Sequence, residues 1–266
     1  MTARPPAVAG TFYPARPKTL RANLASFLAD AAAGPEAAPP KALIAPHAGY
    51  VYSGPVAASA YARLSPLRDK VTRVVLLGPS HFVGFSGLAV PAPEVTTFTT
   101  PLGEVPLDRP VIDDLLNTFS FVQARDDAHA REHSLEVQLP FLQETLDSFS
   151  LVPLVVGFAS PDQTAVVLEH LWGGPETLIV ISSDLSHYHN YTSAQRLDRR
   201  TAEQIVSLDF EHLTPEDACG CHPIQGLLAL AQRRGLTPEL LLDLRNSGDT
   251  AGTRDRVVGY GAFALA

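Results

Sequence analysis

The chain is poor in the residues that usually brace or anchor a protein from outside its core. Its 266 residues include only two cysteines, Cys219 and Cys221, and three lysines. Cysteines one residue apart cannot staple distant segments, and a bridge between them would be strained, so a disulfide framework is excluded and a reducing compartment fits. No apolar run approaches the roughly 18 residues that cross a bilayer. Met1-Thr-Ala-Arg-Pro-Pro also lacks the apolar stretch of a secretory signal. These absences predict a soluble, cytoplasmic protein with no membrane partner. Basic clusters are missing too: Arg199–Arg200 and Arg233–Arg234 are isolated pairs, and the formal charge is −8. Such a surface repels phosphate backbones, so nucleic acid is not an expected partner. Several catalytic signatures are absent: G-x-S-x-G, Walker A, H-E-x-x-H, and a G-x-G-x-x-G after a strand. Glu132-His133 has the zinc-protease order reversed.

What is present is apolar and alternating. Hydrophobic residues make up 45% of the chain, enough for a full core. Residues 18–33 place Leu20, Leu24, Phe27 and Leu28 at helical spacing, and Gly34 through Pro40 reads as a short Pro-rich linker. Short apolar runs follow at Lys41–Ala45, Val71–Leu77, Gly87–Val90, Leu151–Val156, Leu178–Ile181 and Val257–Phe263. Runs apolar on both faces predict strands covered on both sides. Helices are predicted over Pro55–Leu64, Pro110–Phe119, Leu135–Phe149, Pro161–Leu171, Ala194–Ser207 and Pro223–Arg234, with Pro140 able to kink the third or delay its start. The last begins with proline and stops at Gly235. The pattern predicts an α/β fold: one domain over residues 1–266, with a central, mostly parallel sheet flanked by helices on both faces.

The chemistry-bearing residues cluster where these strands end. Ala45-Pro-His47, Gly78-Pro-Ser-His81 and Ser182-Ser-Asp184-Leu-Ser-His187 each close a strand with a histidine-bearing loop, and ligands of open α/β sheets bind beyond the carboxyl ends of the strands. One such histidine is ordinarily a hydrogen-bonding loop residue; three at equivalent positions point to a common crevice. Glu132-His133-Ser-Leu-Glu136 precedes an amphipathic run. It reads either as a capping segment or as a second layer in which a carboxylate orients a metal-bound imidazole. Asp217-Ala-Cys219-Gly-Cys221-His222 sits before a helix N-terminus, which favours thiolate over thiol, so a cysteine there is a ligand, a nucleophile or a small buried hydrophobe. Ser182, Asp184 and His187 are too close in sequence for the opposed geometry of a hydrolase triad.

Taken together, Val8-Ala-Gly-Thr-Phe-Tyr-Pro14, Ala45-Pro-His-Ala-Gly-Tyr-Val-Tyr-Ser-Gly54, Gly78-Pro-Ser-His81, Glu132-His-Ser-Leu-Glu136, Ser182-Ser-Asp-Leu-Ser-His187, Asp217-Ala-Cys-Gly220 and Val257-Val-Gly-Tyr260 resemble the Memo family. Its bacterial and archaeal members are called AmmeMemoRadiSam system protein B. The resemblance implies a fold like that of the class III, non-haem iron extradiol dioxygenases (LigB-like), with a cysteine in place of their metal-binding carboxylate. It thereby implies His47, His81 and Cys219 as ligands of a transition metal, iron or copper with zinc as a third candidate. His187 is the implied acid/base, with Asp184 beside it, and His133 and Glu136 stand behind the ligands. Cys221 and His222 belong less securely to the pattern. The family name further implies AMMECR-type and radical-SAM proteins as partners. Two functions compete: a metal- or partner-binding protein, and a metal-dependent redox or oxygenase-like enzyme.

Overall fold

The computed structural model describes residues 2–31, 38–236 and 238–266, with side chains omitted for 238–241. The expected linker at Gly34 through Pro40 therefore lies largely outside the described residues. In chain order the elements are β1 (Thr2–Arg4), α1 (Pro17–Asp30), β2 (Ala42–Ala45), α2 (Tyr50–Tyr61), β3 (Arg73–Pro79), β4 (Leu88–Val90), β5 (Val95–Thr100), β6 (Gly103–Pro106), α3 (Arg109–Thr118), β7 (Val122–Ala124) and α4 (Asp126–Ala130). There follow α5 (Leu139–Thr145), β8 (Ser150–Val156), α6 (Pro161–His170), β9 (Thr177–Ser182), β10 (His187–His189), α7 (Tyr191–Val206), α8 (Cys221–Arg234), β11 (Pro238–Asn246) and β12 (Val257–Leu265).

The main sheet runs β10-β12-β2-β9-β3-β8-β4-β7, with β11 also paired to β12. Its centre, β2-β9-β3-β8, is parallel. The expectation of a mostly parallel sheet needs correction at the margins. There β12 runs antiparallel to β2, β10 and β11 antiparallel to β12, and β4 antiparallel to β8. The reason lies in the connections: parallel neighbours need a long crossover, whereas the shorter connection from β11 to β12 reverses the chain directly. A second, small sheet, β1-β5-β6, carries the N-terminus.

Every residue of β2 and β9 is buried, as are Val74 through Pro79 of β3. Strands buried on all positions need cover on both faces, and two helix groups supply it: α1, α2 and α5 pack together, and α6 packs on α8. Each fully buried Val, Leu or Ile contributes about 1.5–3 kcal/mol relative to exposure, so this double-covered centre supplies much of the burial that stabilises the fold.

Local signals set the helix ends. Ser160 caps α6 in a reciprocal box with Gln163, Asn190 caps α7, and α8 stops at Gly235, whose φ of 64° suits glycine. The helix expected from Leu135 starts only at Leu139, after a short 3₁₀ turn at Glu136–Gln138. Pro140 cannot lie in a helix interior without losing a hydrogen bond and therefore takes the first turn. Conversely α2 begins at Tyr50 and carries Pro55 inside it.

Parallel pairing fixes where the site can be. The register Ala45↔Ser182, Leu77↔Ile181 and Pro79↔Val156 brings the carboxyl ends of β2, β9, β3 and β8 to one edge. The loops holding His47, His81 and Asp184 all leave from that edge.

Candidate metal centre

Three imidazoles meet beyond that edge. His47 and His81 come from the loops after β2 and β3, as the sequence suggested; the third is His133, from the turn before α5. Each of the three offers a ligand atom, and these atoms all lie within 4.8 Å of one another. Ring centroids are 5.2 Å apart for His47 and His81, 5.5 Å for His47 and His133, and 4.5 Å for His81 and His133. His187 lines the same cavity without joining this group of three. The sequence reads His133 as a supporting residue, yet it stands level with the other two; Gln138, in the 3₁₀ turn after it, bonds to the loop after β2 and to Ser182 at the end of β9.

The hydrogen-bond network settles which nitrogens are free. Gln138 Nε2 lies 3.0 Å from the Pro46 carbonyl and so is the donor; it also donates to Ser182 Oγ at 2.8 Å. The Ser182 hydroxyl has a single proton, and it goes to the Ser134 carbonyl at 2.6 Å. Facing His47 Nδ1 at 2.8 Å, Ser182 Oγ can then only accept. His47 thus carries its proton on Nδ1 and presents an Nε2 lone pair to the cavity. Similarly His81 Nδ1 faces Glu132 Oε1 at 2.8 Å and donates to it, so the neutral ring carries its lone pair on Nε2. Glu132 is gripped in turn by the amides of His81 at 2.7 Å and Ser134 at 2.9 Å. Burial alone would raise this carboxyl, but the hydrogen bonds and the His81 ring hold it down to about 2. Burial, then the neighbouring imidazoles, keeps His47 well below the ordinary histidine range, and burial brings His133 down to about 4. Both rings are neutral at neutral pH, as metal ligands must be.

One role read from the sequence is corrected here. Glu136 does not reach the histidines: its carboxylate accepts from Arg4 Nη1, the amides of Ala7 and Val8, and Tyr13 Oη, at 2.7–2.9 Å. It ties the N-terminal segment down, and Glu132 is the residue that orients an imidazole. Asp184, near His187 in sequence, accepts the His47 amide on Oδ1 at 2.8 Å, because β2 and β9 are adjacent and their loops meet. Burial pushes the Asp184 carboxyl up to about 7.

Cys219 is half-buried, with Sγ 3.3 Å from His47 Nε2 and 3.3 Å from the Asp184 amide. It therefore stands on the His47 side of the cluster. Gly220 makes this possible: a Cβ there would come within 2.6 Å of Ser183 Cβ and 2.8 Å of the Ser182 carbonyl. The expectation of a ready thiolate is not met by the protein groups alone. Burial, followed by Asp184, pushes the Cys219 thiol well up, and burial takes Cys221 to about 12, outweighing the helix N-terminus. Cys221, the first residue of α8, is packed in the core, and His222 lies against Phe158.

The cluster forms one wall of an open cavity of about 790 Å³, lined also by Phe12, Tyr52, Asp184, His187, Tyr188, Arg256 and Tyr260. Next to His187, Tyr188 holds a φ of 62°, unusual for a residue with a side chain. Sequence reasoning missed Gln138 and the equal standing of His133. The adjacency of Glu132 to His133 was a signal for the carboxylate, but nothing local marks Gln138.

The family model described as Memo-like protein matches residues 4–264. A MEMO1 family protein of Ignicoccus hospitalis is 38% identical over 98% of both chains. Those of Sulfolobus acidocaldarius and Thermotoga neapolitana are 37% and 35% identical, each over 97% of both chains. With a family match spanning nearly all of its length and full-length relatives at this identity, the chain belongs to the Memo family.

Proposed function

We propose that the protein binds one transition-metal ion between His47 and His81, with Cys219 as a donor on the His47 side and His133 on the His81 side. The observation that carries this reading is the pair of tautomers set by Ser182 and Glu132, which turn two lone pairs into one space. A carboxylate behind a ligating imidazole is the usual support of a bound metal. Donors that share one ion at bond lengths of about 2.0–2.3 Å stand roughly 3.1–3.6 Å apart, and the 3.3 Å between His47 Nε2 and Cys219 Sγ fits that span. Imidazoles and a thiol suit iron, copper or zinc and disfavour calcium or magnesium. When bound, such an ion supplies a Lewis-acid or redox centre beside the cavity. Protein purified without an affinity tag and loaded anaerobically should take up one equivalent of metal. Unchanged metal content in both His47→Ala and His81→Ala would refute the assignment.

On this reading the protein serves as a metal- or partner-binding component of the AmmeMemoRadiSam system, with AMMECR-type and radical-SAM proteins as its expected partners, to be sought by co-purification with the loaded chain. A second reading, an oxygenase-like enzyme, is favoured by His187 on the wall of the same cavity, where it can move a proton for a ligand held at the cluster. Oxygen uptake with a panel of catechols and small metabolites separates the two: turnover that needs both metal and His187 establishes the enzyme. No helix among the described residues is long and apolar enough to cross a membrane.

A further inference from the structure

The cavity is far larger than its histidines require. An ion with its waters needs on the order of 100 Å³, at about 30 Å³ per water, whereas about 790 Å³ is open here, within the range of pockets that enclose small organic ligands. Its wall is also lopsided in charge. Among the described residues, Asp184 is the sole carboxylate lining it, and that group is turned onto the His47 amide. Among the same residues Arg256 is the sole lysine or arginine. Arg4, Arg68 and Arg73 each have a carboxylate partner, but Arg256 has none among the described residues. Its guanidinium instead lies over the Tyr188 ring, 5.0 Å from the centroid. The residue precedes β12, where Val258 pairs with His187, so it belongs to the wall beyond His187. The preceding loop is pinned by Gly252 N to the Ser247 carbonyl at 2.7 Å and by Val258 N to Ser247 Oγ at 3.1 Å. A guanidinium that lies over a ring keeps its fork of donors for a planar anion.

Resting on the metal site proposed above, we infer that the cavity receives a small organic acid. Its anionic group lies on Arg256, its apolar or planar body lies against Phe12 and Tyr52, and its donor end lies at the histidine cluster. The aromatic walls favour a flat body, and the cation at one end with the cluster at the other sets its direction. Arg256 is then a ligand-selecting residue.

The test uses the full chain, two hydroxamate probes and calorimetry at low ionic strength with and without Zn(II). One probe is a benzohydroxamate bearing a para carboxylate; the other is its uncharged para carboxamide. With zinc, the acid should bind about five-fold more tightly, the scale of one solvent-accessible ion pair. Arg256→Gln should erase that preference while both probes still bind through the chelating end. Equal affinities in the parent protein, or a preference that survives Arg256→Gln, would overturn the inference. Failure of the metal reading looks different: zinc then improves neither probe. In that event benzoate and benzamide are compared on the zinc-free chain by saturation-transfer NMR. A preference for benzoate that depends on Arg256 supports the anion site, and its absence overturns it.

Discussion

Glu132 and Glu136 sit four residues apart, are 1% and 0% exposed, and mark two different regions of the molecule. Around Glu136 everything is closed. Two amides, a phenol and a guanidinium fill its oxygens, and Arg4 spends its other donors on the carbonyls of His129 and Glu132. Around Glu132 the network ends in an open position: the His81 ring passes the carboxylate's influence to a nitrogen that no protein group among the described residues fills. The contrast teaches how to tell a structural buried charge from a functional one. A network that saturates itself holds the fold, whereas one that terminates in oriented lone pairs beside a cavity is built for something that arrives later.

The strongest way to break this contrast is Glu136→Gln. It leaves the Arg4 guanidinium buried without its counter-charge, and chemical denaturation should show a loss of about 3–5 kcal/mol. Metal stoichiometry of the molecules that remain folded should stay unchanged. Glu132→Gln should do the reverse: metal affinity falls about 10–100-fold, read by chelator competition, with a smaller loss of stability. Equal damage by both variants to both readouts would erase the distinction between the two regions.

A finer cut comes from Cys219→Ser. A hydroxyl replaces the soft donor, so affinity for zinc or copper should drop while the His47 and His81 tautomers persist. Limiting alkylation in the parent should label Cys219 before Cys221, which is 1% exposed, and added metal should protect Cys219. Labelling of Cys221 first would reverse that order.

The smallest expected effect is a slope. His129, whose Nε2 faces the Ala89 carbonyl at 3.0 Å beside the Glu136 region, is held down to about 3 by burial. The unfolded chain titrates this imidazole near 6.5 and so binds the proton first. Its contribution to stability is complete above that value and is lost as pH falls from 6.5 towards 3. Asp184 and Asp198, raised by burial to about 7 and about 6, tilt stability the other way over part of this window, because the folded state holds their protons. The difference between the parent and His129→Gln isolates the imidazole. It should reduce the dependence of stability on pH by up to about 1.4 kcal/mol per pH unit between pH 4 and 6. Parallel curves for the two proteins would show that His129 is not buried neutral.

Much of this was legible in the chain. The apolar runs at Ala42–Ala45, Val74–Leu77 and Leu178–Ile181 are strands because nothing else accommodates short β-branched segments buried on both faces, and the histidines that follow two of them had to share an edge once those strands paired in parallel. Capping residues and Gly235 fixed helix ends for reasons confined to a few neighbours. The small sheet built by β1, β5 and β6 was not legible, since its segments are short and polar on one side, and β11 was missed as well.

The sequence by itself therefore determined the layered α/β architecture, the family, and the meeting of His47 and His81, because period, turn chemistry and motif order are local properties that survive in any context. Only the tertiary structure decided that His133 joins them, that Glu132 rather than Glu136 turns an imidazole, that Asp184 serves the His47 loop, and that Arg256 faces the same cavity. The roles of Glu132 and Asp184 depend on which groups complete one another's hydrogen bonds across loops 50 or more residues apart, at separations of 51 from His81 and 137 from His47. Hydrogen-bond completion is a property of the packed whole, and spacing along the chain carries no record of it.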